Sequence, residues 1–328
     1  MGATSDKWII VVNVFAASRH AGSVWKKAAA LLDSASVSYD VKFTGDPDNA
    51  IQLSLKAAQA GYRKFIAVGG DGTVHDVLNG IATCVSQSED LRLSDFTLAV
   101  LPVGSGNDWV KSAGVPRDLS QAVKLIAEAR TSRQDVVRVS VLDDGGKSVC
   151  DSYMANVGGI GLDARVCEIV NKKKEHGHRG RILYVKALLY CIKHRVPIKA
   201  RVICDGVEVF DGKYLSMAFG IGKYSGGGMR QTPLAVMDDG LLDVVIIPDI
   251  SMWVIARKVP MLFTGTFHEV DVLTQARCRE VVVVPYGNAD AEPVEVDGEV
   301  IGRVPVRMTV LPDQINIISS DGLSKKAQ

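Results

Sequence analysis

The sequence has no C-x-x-C pair, and its six cysteines (Cys84, Cys150, Cys167, Cys191, Cys204, Cys278) lack metal-ligand spacing. They read as buried thiols of a reducing cytosol, and a chain of 328 residues needs no disulfide scaffold. No apolar run approaches the roughly 20 residues that cross a bilayer as a helix. The first residues lack the charged start, apolar stretch and cleavage site of a secretory signal, and Asp6 stands where N-myristoylation requires Ser or Thr. Net charge is nearly absent: 38 Lys and Arg against 37 Asp and Glu leave +1. No global field therefore draws in nucleic acid or a membrane, and any basic contact surface must be local. Repeats are missing, as are a Walker A lysine and the long glycine fingerprint of dinucleotide-binding folds. What remains is a cytoplasmic protein long enough for two domains.

Two hydrophobic rhythms divide the chain. From Lys7 to about Gln134, β-branched runs at Trp8–Val14, Ser38–Phe43, Phe65–Val68 and Thr97–Pro102 alternate with helical patterns at Ser23–Ser34, Asn49–Ala60, Val74–Cys84 and Leu119–Glu128. This alternation predicts an α/β domain around a mostly parallel sheet. After Asp135 short strands crowd together, at Val136–Leu142, Asp151–Val157, Ile198–Cys204, Tyr214–Gly220, Leu242–Ile247 and Val281–Pro285. Turns such as Asp205-Gly206 and Asp297-Gly298 separate them, which predicts an antiparallel β-sandwich interrupted by one helix near Ile182–Ile192. The expected organisation is an α/β domain over 1–134 and a β-sandwich domain over 135–303. The strand-like segments Arg307–Leu311 and Gln314–Ile318, within about 304–320, are expected to return to the first domain.

The run Gly69-Gly-Asp-Gly-Thr73 sits between a predicted strand and a predicted helix. Glycines there let backbone N–H groups approach phosphate oxygens at a helix N-terminus, and Thr73 adds a hydroxyl. Asp71 repels phosphate directly but can hold Mg²⁺, itself or through water. About thirty residues on, Leu101-Pro-Val-Gly-Ser-Gly-Asn-Asp-Trp109 offers the same chemistry, with Ser105, Asn107 and Asp108. Loops at the carboxyl ends of neighbouring parallel strands converge on one crevice.

These two segments resemble the catalytic domain of the diacylglycerol kinase family, which includes soluble bacterial lipid kinases and the sphingosine and ceramide kinases. Gly69–Gly80 meets the family's first block throughout, and Leu101–Trp109 looks like its second, with Ser105 for Thr and Trp109 for Phe. Arg133-Gln-Asp135, Met154–Ala164, Gly226–Gly228 with Thr232-Pro233, Met237–Asp243 and Val294–Glu299 resemble later blocks. One departure is the first strand end, which reads Asn13-Val14-Phe15-Ala16-Ala17-Ser18 without the family's proline and glycine.

The resemblance implies an NAD kinase/phosphofructokinase-like first domain and transfer of the ATP γ-phosphate to a lipid hydroxyl. It implies nucleotide contacts from Gly69, Gly70, Asp71, Gly72, Thr73, Ser105 and Asn107, with Thr44 as a further candidate. It also implies active-site Mg²⁺ at Asp71, Asp108 and Asp135, directly or through water, and Glu299 as the base, with Asp71 as the alternative base. Some relatives hold a structural Mg²⁺ at the turn that corresponds here to Asp239 with the carbonyls of Val236 and Leu241. The expected partner is a lipid at the inner face of a membrane, reached by the basic segment Asn171–Arg181 and the apolar stripe Ile182, Val185, Leu189 and Ile192. A homo-oligomer is compatible with the chain, and nucleic acid is not an expected partner. The alternatives are a kinase for a soluble acceptor, of NAD kinase type, and a non-catalytic nucleotide-binding regulator.

Overall fold

The computed structural model describes residues 6–14, 21–45, 48–103, 106–175, 181–194, 197–287 and 292–320. They belong to two compact units: Met1–Val136, Val236–Asp239 and Leu311–Gln328 form the first, and Val137–Ala235 with Gly240–Val310 the second.

In the first unit, strands β1 (Trp8–Val12), β2 (Tyr39–Phe43), β3 (Lys64–Gly69), β4 (Thr97–Pro102) and β5 (Thr131–Gln134) join the chain's last strand, β17 (Ile315–Ile318). The sheet order is β2-β1-β3-β4-β17-β5, parallel throughout except for β5 against β17. All five residues of β1 are buried, as expected of a strand covered on both faces. Helices α1 (Ala21–Ser34), α2 (Ala50–Gln59), α3 (Asp71–Ser86), α4 (Asp108–Ser112) and α5 (Leu119–Ala127) follow the strands. Asn49 starts α2 through a reciprocal capping box with Gln52, and Asp118 caps α5 by accepting from Gln121 N–H. Phe65, Ile66, Leu78, Ile81, Leu98 and Leu101 are fully buried, each worth about 1.5–3 kcal/mol against exposure. Gly80 lets α3 lie directly on α2, since a methyl there would stand 2.5 Å from the Ile51 carbonyl. The Asn-Gly that ends the first motif is therefore a packing feature.

The second unit holds β6 (Val137–Leu142), β7 (Ser148–Met154), β8 (Val157–Gly161), α6 (Leu162–Glu175), α7 (Arg181–Lys193), β9 (Ile198–Cys204) and β10 (Val207–Gly220). It continues with β11 (Leu242–Pro248), α8 (Met252–Thr264), β12 (Thr274–Cys278), β13 (Glu280–Pro285), β14 (Pro293–Val296), β15 (Glu299–Arg303) and β16 (Val306–Val310). Its eleven strands are hydrogen-bonded in the order β15-β14-β8-β10-β9-β13-β16-β6-β7, with β11 and β12 branching from β10. Every pairing is antiparallel. The sheet folds over on itself, because β15 packs against β6 and β7 from the far end of the order. Gly302 permits that approach: a methyl there would meet Val141 Cγ2 at 2.7 Å. Val139, Ile160, Val202, Phe219, Val244, Val283, Val296 and Val306, from eight strands, share one core.

Three expectations need correction. The helix predicted from Val74 begins at Asp71, so Gly69–Thr73 is a strand end and a first helical turn. Of the two terminal segments expected to return, only Gln314–Ile318 does so. Val306–Val310 stays in the second sheet between β13 and β6, with Val306, Met308 and Val310 turned into its core. Finally, among the described residues the second unit contains three α-helices where one helix is expected. On α7 the packed residues are Leu183, Ala187, Leu188 and Cys191, which meet Val166 and Val170 of α6, while Leu189 is 60% exposed. The side chains of Ile182 and Val185 lie outside the described residues.

Candidate active site

In the first unit, the register sets the site. β3 and β4 run in step from Lys64 opposite Thr97 to Gly69 opposite Pro102, and Val103 N–H extends the ladder to the Gly69 carbonyl at 2.8 Å. The segments that follow therefore leave the sheet side by side. The Asp71 carboxylate joins them: its Oδ1 accepts the backbone N–H of Trp109 at 2.9 Å, in the first turn of α4. Gly106 lies close on the other carboxylate oxygen, as a methyl there would stand 3.2 Å from Asp71 Oδ2. The sequence thus brings the two predicted loops together through Asp71 itself.

The glycines of this turn serve close approach rather than a left-handed backbone. Gly70 is the N-cap of α3 with φ −108°, an ordinary extended value, and it supplies no side-chain cap. A 16-residue helix that starts on glycine, with no capping side chain, is open to an anion at its positive end. Gly69 must lack a side chain because Thr73 folds back over it, so that a methyl there would collide with Thr73 Oγ1. Thr73 is buried, and its hydroxyl accepts from Asn13 Nδ2 at 3.2 Å. It braces the turn from the end of β1. Thr44, at the end of β2, holds the segment after β1 instead: its hydroxyl accepts Val14 N–H at 3.2 Å. It does not start α2, whose cap is Asn49.

Asn107 is buried at φ +52°, a left-handed value that Asn tolerates better than most residues, and it precedes α4 as its N-cap. Asp108 is buried and paired with Lys111 Nζ at 2.6 Å. Asp135 is buried, accepts Gln314 Nε2 at 2.7 Å, and gives its own N–H to the Met237 carbonyl at 2.7 Å. That bond draws the segment Val236–Asp239 into the first unit, whereas Leu241 belongs to the second. The Asp239 turn was expected to lie in the β domain. Ser105 falls outside the described residues. Among the described residues no three His, Cys, Asp or Glu side chains gather as a ready-made metal site. The donors present suit Mg²⁺, which keeps several waters and takes one or two carboxylates together with nucleotide phosphates.

In the second unit the later sequence blocks meet one another. Asp297 accepts the N–H groups of Ala155 and Asn156 at 2.8 and 2.9 Å, and Asn156 Nδ2 donates to the Tyr224 carbonyl at 2.7 Å. Glu295 accepts Gly298 N–H at 2.9 Å. Asp163 accepts from Ser216 and Gln231 at 2.9 and 2.8 Å. These bonds fix the turn Asp297-Gly298, from which Glu299 projects as an exposed carboxylate near Asn171 Nδ2 at 3.3 Å. Burial pushes the Glu295 carboxyl well above the ordinary carboxylate range, and the charges of Asp163, Asp297 and Glu299 push the same way. Burial also raises Asp163, against its two side-chain hydrogen bonds.

Sequence reading missed Asn13, Lys111, Gln134 and Gln314 as supports of the site. Gln134 accepts Trp109 Nε1–H at 3.0 Å, pinning the indole behind α4. Gln314 carries no local signal, since its partner Asp135 is 179 residues away. Asn13 could have been found as a polar residue closing a wholly apolar strand, in line with Thr44 and Gly69.

Comparison with known proteins matches the diacylglycerol kinase catalytic domain over residues 7–139 and the YegS C-terminal NAD kinase beta sandwich-like domain over residues 156–319. A Stenotrophomonas maltophilia protein described as "Probable lipid kinase YegS-like" is 29% identical over 93% of this chain and 96% of its own length. A Mycobacterium tuberculosis protein described as "Diacylglycerol kinase" is 26% identical over 84% of this chain and 82% of its own. The crystal structure of a diacylglycerol kinase from Bacillus anthracis superposes with a TM-score of 0.74 at 22% identity, covering 97% of this chain and 98% of that one. At that identity the superposition establishes the fold.

Proposed function

Because the chain belongs to the diacylglycerol kinase catalytic-domain family of lipid kinases, we propose that it transfers the γ-phosphate of ATP to the hydroxyl of a membrane lipid. The observation that carries this reading is the bond from Trp109 N–H to Asp71, which holds the two small-residue turns against each other at the end of a parallel sheet. Phosphoryl transfer asks mainly for alignment and charge neutralisation, and this edge offers both. The uncapped start of α3 receives phosphate oxygens through the backbone of Gly70–Thr73, while Asn13 and Thr73 keep that turn rigid. Asp71, Asp108 and Asp135 would hold Mg²⁺, directly or through water. When bound, the ion offsets the charge of the phosphates and polarises the transferred group.

Glu299 takes the proton of the acceptor hydroxyl. Its support is its exposure at the tip of a turn that Asp297 and Glu295 hold in place. The acceptor is a diacylglycerol-like or sphingoid lipid presented at the inner face of a membrane. Lys172 and Lys173, with the exposed Leu189 and Tyr190, favour approach to an anionic surface.

The test is transfer of labelled phosphate from ATP by purified protein, to a panel of detergent-dispersed lipids alongside NAD and other water-soluble acceptors. Mg²⁺-dependent labelling of a lipid alone is the expected result. Labelling confined to a soluble acceptor, or ATP binding without transfer to any acceptor, would overturn the reading.

A further inference from the structure

Helix α8 has no part in the site described above, and its surface is unusual for a helix in water. Its sequence, Met252-Trp-Val-Ile-Ala-Arg-Lys-Val-Pro-Met-Leu-Phe-Thr264, contains two basic residues and no acid. Met261 and Leu262 hold it to the sheet by packing with Val245, Phe267 and Val270. Its C-terminal end is secured by Arg230, whose N–H donates to the Leu262 carbonyl at 2.6 Å. The opposite face is open. Trp253, Arg257, Pro260 and Thr264 recur at spacings of four, three and four, which puts them on one stripe, and all four are exposed. Trp253 is 83% exposed, and Phe263, on the flank of that stripe, is 57% exposed. Arg257 and Lys258 form no ion pair among the described residues.

This combination selects its partner by chemistry. An indole left in water forfeits most of its burial energy, whereas at the headgroup level of a bilayer its ring meets acyl chains and its N–H meets polar groups. Uncompensated cations on the same helix gain about 1 kcal/mol each near an anionic leaflet. A helix with a cationic, aromatic outer face and no acid is built to lie in that interface. None of the described helices is long and apolar enough to span a bilayer, so contact by these helices would have to come from a surface of this kind. The neighbouring α7 is the weaker candidate because its exposed Tyr190 ring already stacks on His194, with centroids 4.3 Å apart. Cys191 of α7 and Asp249, just before α8, line one small cavity, so the near ends of the two helices adjoin.

We propose that the Trp253–Arg257–Pro260–Thr264 face of α8, with Phe263, is the surface by which this protein docks on an anionic phospholipid bilayer. The proposal rests on the lipid-kinase reading for its biological sense, but vesicle binding tests it independently. Trp253 seats at the headgroup level, Phe263 enters beside it, and Arg257 meets phosphate or carboxylate headgroups.

The experiment compares the full-length protein with Trp253→Ala/Phe263→Ser, Arg257→Gln and Leu189→Ala/Tyr190→Ala. Co-sedimentation uses phosphatidylglycerol–phosphatidylcholine vesicles and pure phosphatidylcholine vesicles. The parent should bind the anionic vesicles, with salt weakening the interaction. The α8 double variant should lose roughly tenfold or more in affinity, the equivalent of about 1.4 kcal/mol. Arg257→Gln should lose less, and mainly at low salt. Because these side chains are exposed, melting temperatures and turnover on detergent-dispersed lipid should stay at parental values, while turnover on vesicle-borne lipid falls with binding. Unchanged vesicle affinity in the α8 double variant would overturn the proposal, as would loss confined to the α7 variant. Light scattering that shows a parental dimer abolished by Trp253→Ala would assign the face to a second copy instead. Vesicle binding through α8 without phosphorylation of any lipid would sustain the docking surface and refute the kinase reading.

Discussion

The two units hold their carboxylates in opposite ways. In the first, Asp71 reaches the next strand's loop, 38 residues along the chain, and takes one backbone N–H at the edge of a parallel sheet. In the second, Asp297 takes two N–H groups from residues 142 and 141 positions away, and Glu295 is buried beside it. A parallel sheet with helical crossovers delivers functional side chains to one edge by topology alone. An antiparallel sheet delivers them by register, through pairings between segments distant in the sequence. The lesson is a division of labour: the first unit joins neighbouring turns at a sheet edge, which the proposed function makes the phosphate site, and the second builds a rigid mount for one exposed carboxylate, Glu299.

The strongest way to break that division is Asp71→Asn. The amide oxygen can still accept Trp109 N–H, so the two turns remain joined and the melting temperature should hold. The charge is lost, and turnover should fall by about 10³-fold, at the upper end of what one electrostatic contact contributes. Measured kcat and KM for ATP check this. A variant that keeps parental turnover would show that the Asp71 contact is only structural.

Glu299→Gln probes the other side. The residue is exposed and its neighbours are held by Asp297 and Glu295, so folding should be unaffected. Turnover should fall by about 10²-fold with ATP affinity nearly unchanged, as expected when a proton acceptor is removed. If ATP affinity falls in parallel with turnover, the carboxylate belongs to the nucleotide site and the division of labour is wrong.

The same contrast explains what could be read in the sequence. Strand β4 was legible to the residue at Thr97–Pro102, and the two glycine-rich turns could be placed together, because local punctuation and strand order carry that information. The start of α3 was misplaced because Asp71-Gly-Thr73 has the composition of a loop, yet Gly70 allows the helix to begin there. Strand β16 was assigned to the wrong sheet because its alternation of Val306, Met308 and Val310 fits either one, and Pro312 just beyond it marks the break only in hindsight. Glu299 was legible only through resemblance. Nothing within ten residues of it signals that Ala155 and Asn156 lie against its turn.

Gly69→Ala measures how tightly the phosphate edge is packed. The added methyl would collide with Thr73 Oγ1, so Thr73 must rotate away from Asn13. Overpacking of this kind costs about 1–3 kcal/mol, read as a lower melting temperature together with weaker ATP binding. Gly45→Ala is the control, since nothing lies within 4 Å of its added methyl. Equal losses in both would mean that backbone freedom, and not the Thr73 contact, selects glycine at position 69.

The smallest expected effect concerns the buried mount itself. Glu295 has a folded-state pKa raised well above the ordinary 4.5, first by burial and then by neighbouring carboxylates. As pH rises past that ordinary value, the unfolded chain releases a proton that the folded state keeps, so stability falls until the folded-state pKa is passed and then levels off. Glu295→Gln is neutral throughout and can still accept Gly298 N–H. Its melting temperature should therefore gain on the parent's as pH rises above about 4.5, with the difference shrinking under acid. Asp163 is raised too and adds a slope of the same sign to both proteins, so the difference between them reports chiefly on Glu295. Parallel melting curves would mean that Glu295 is ionised in the folded state and that the mount tolerates a buried charge.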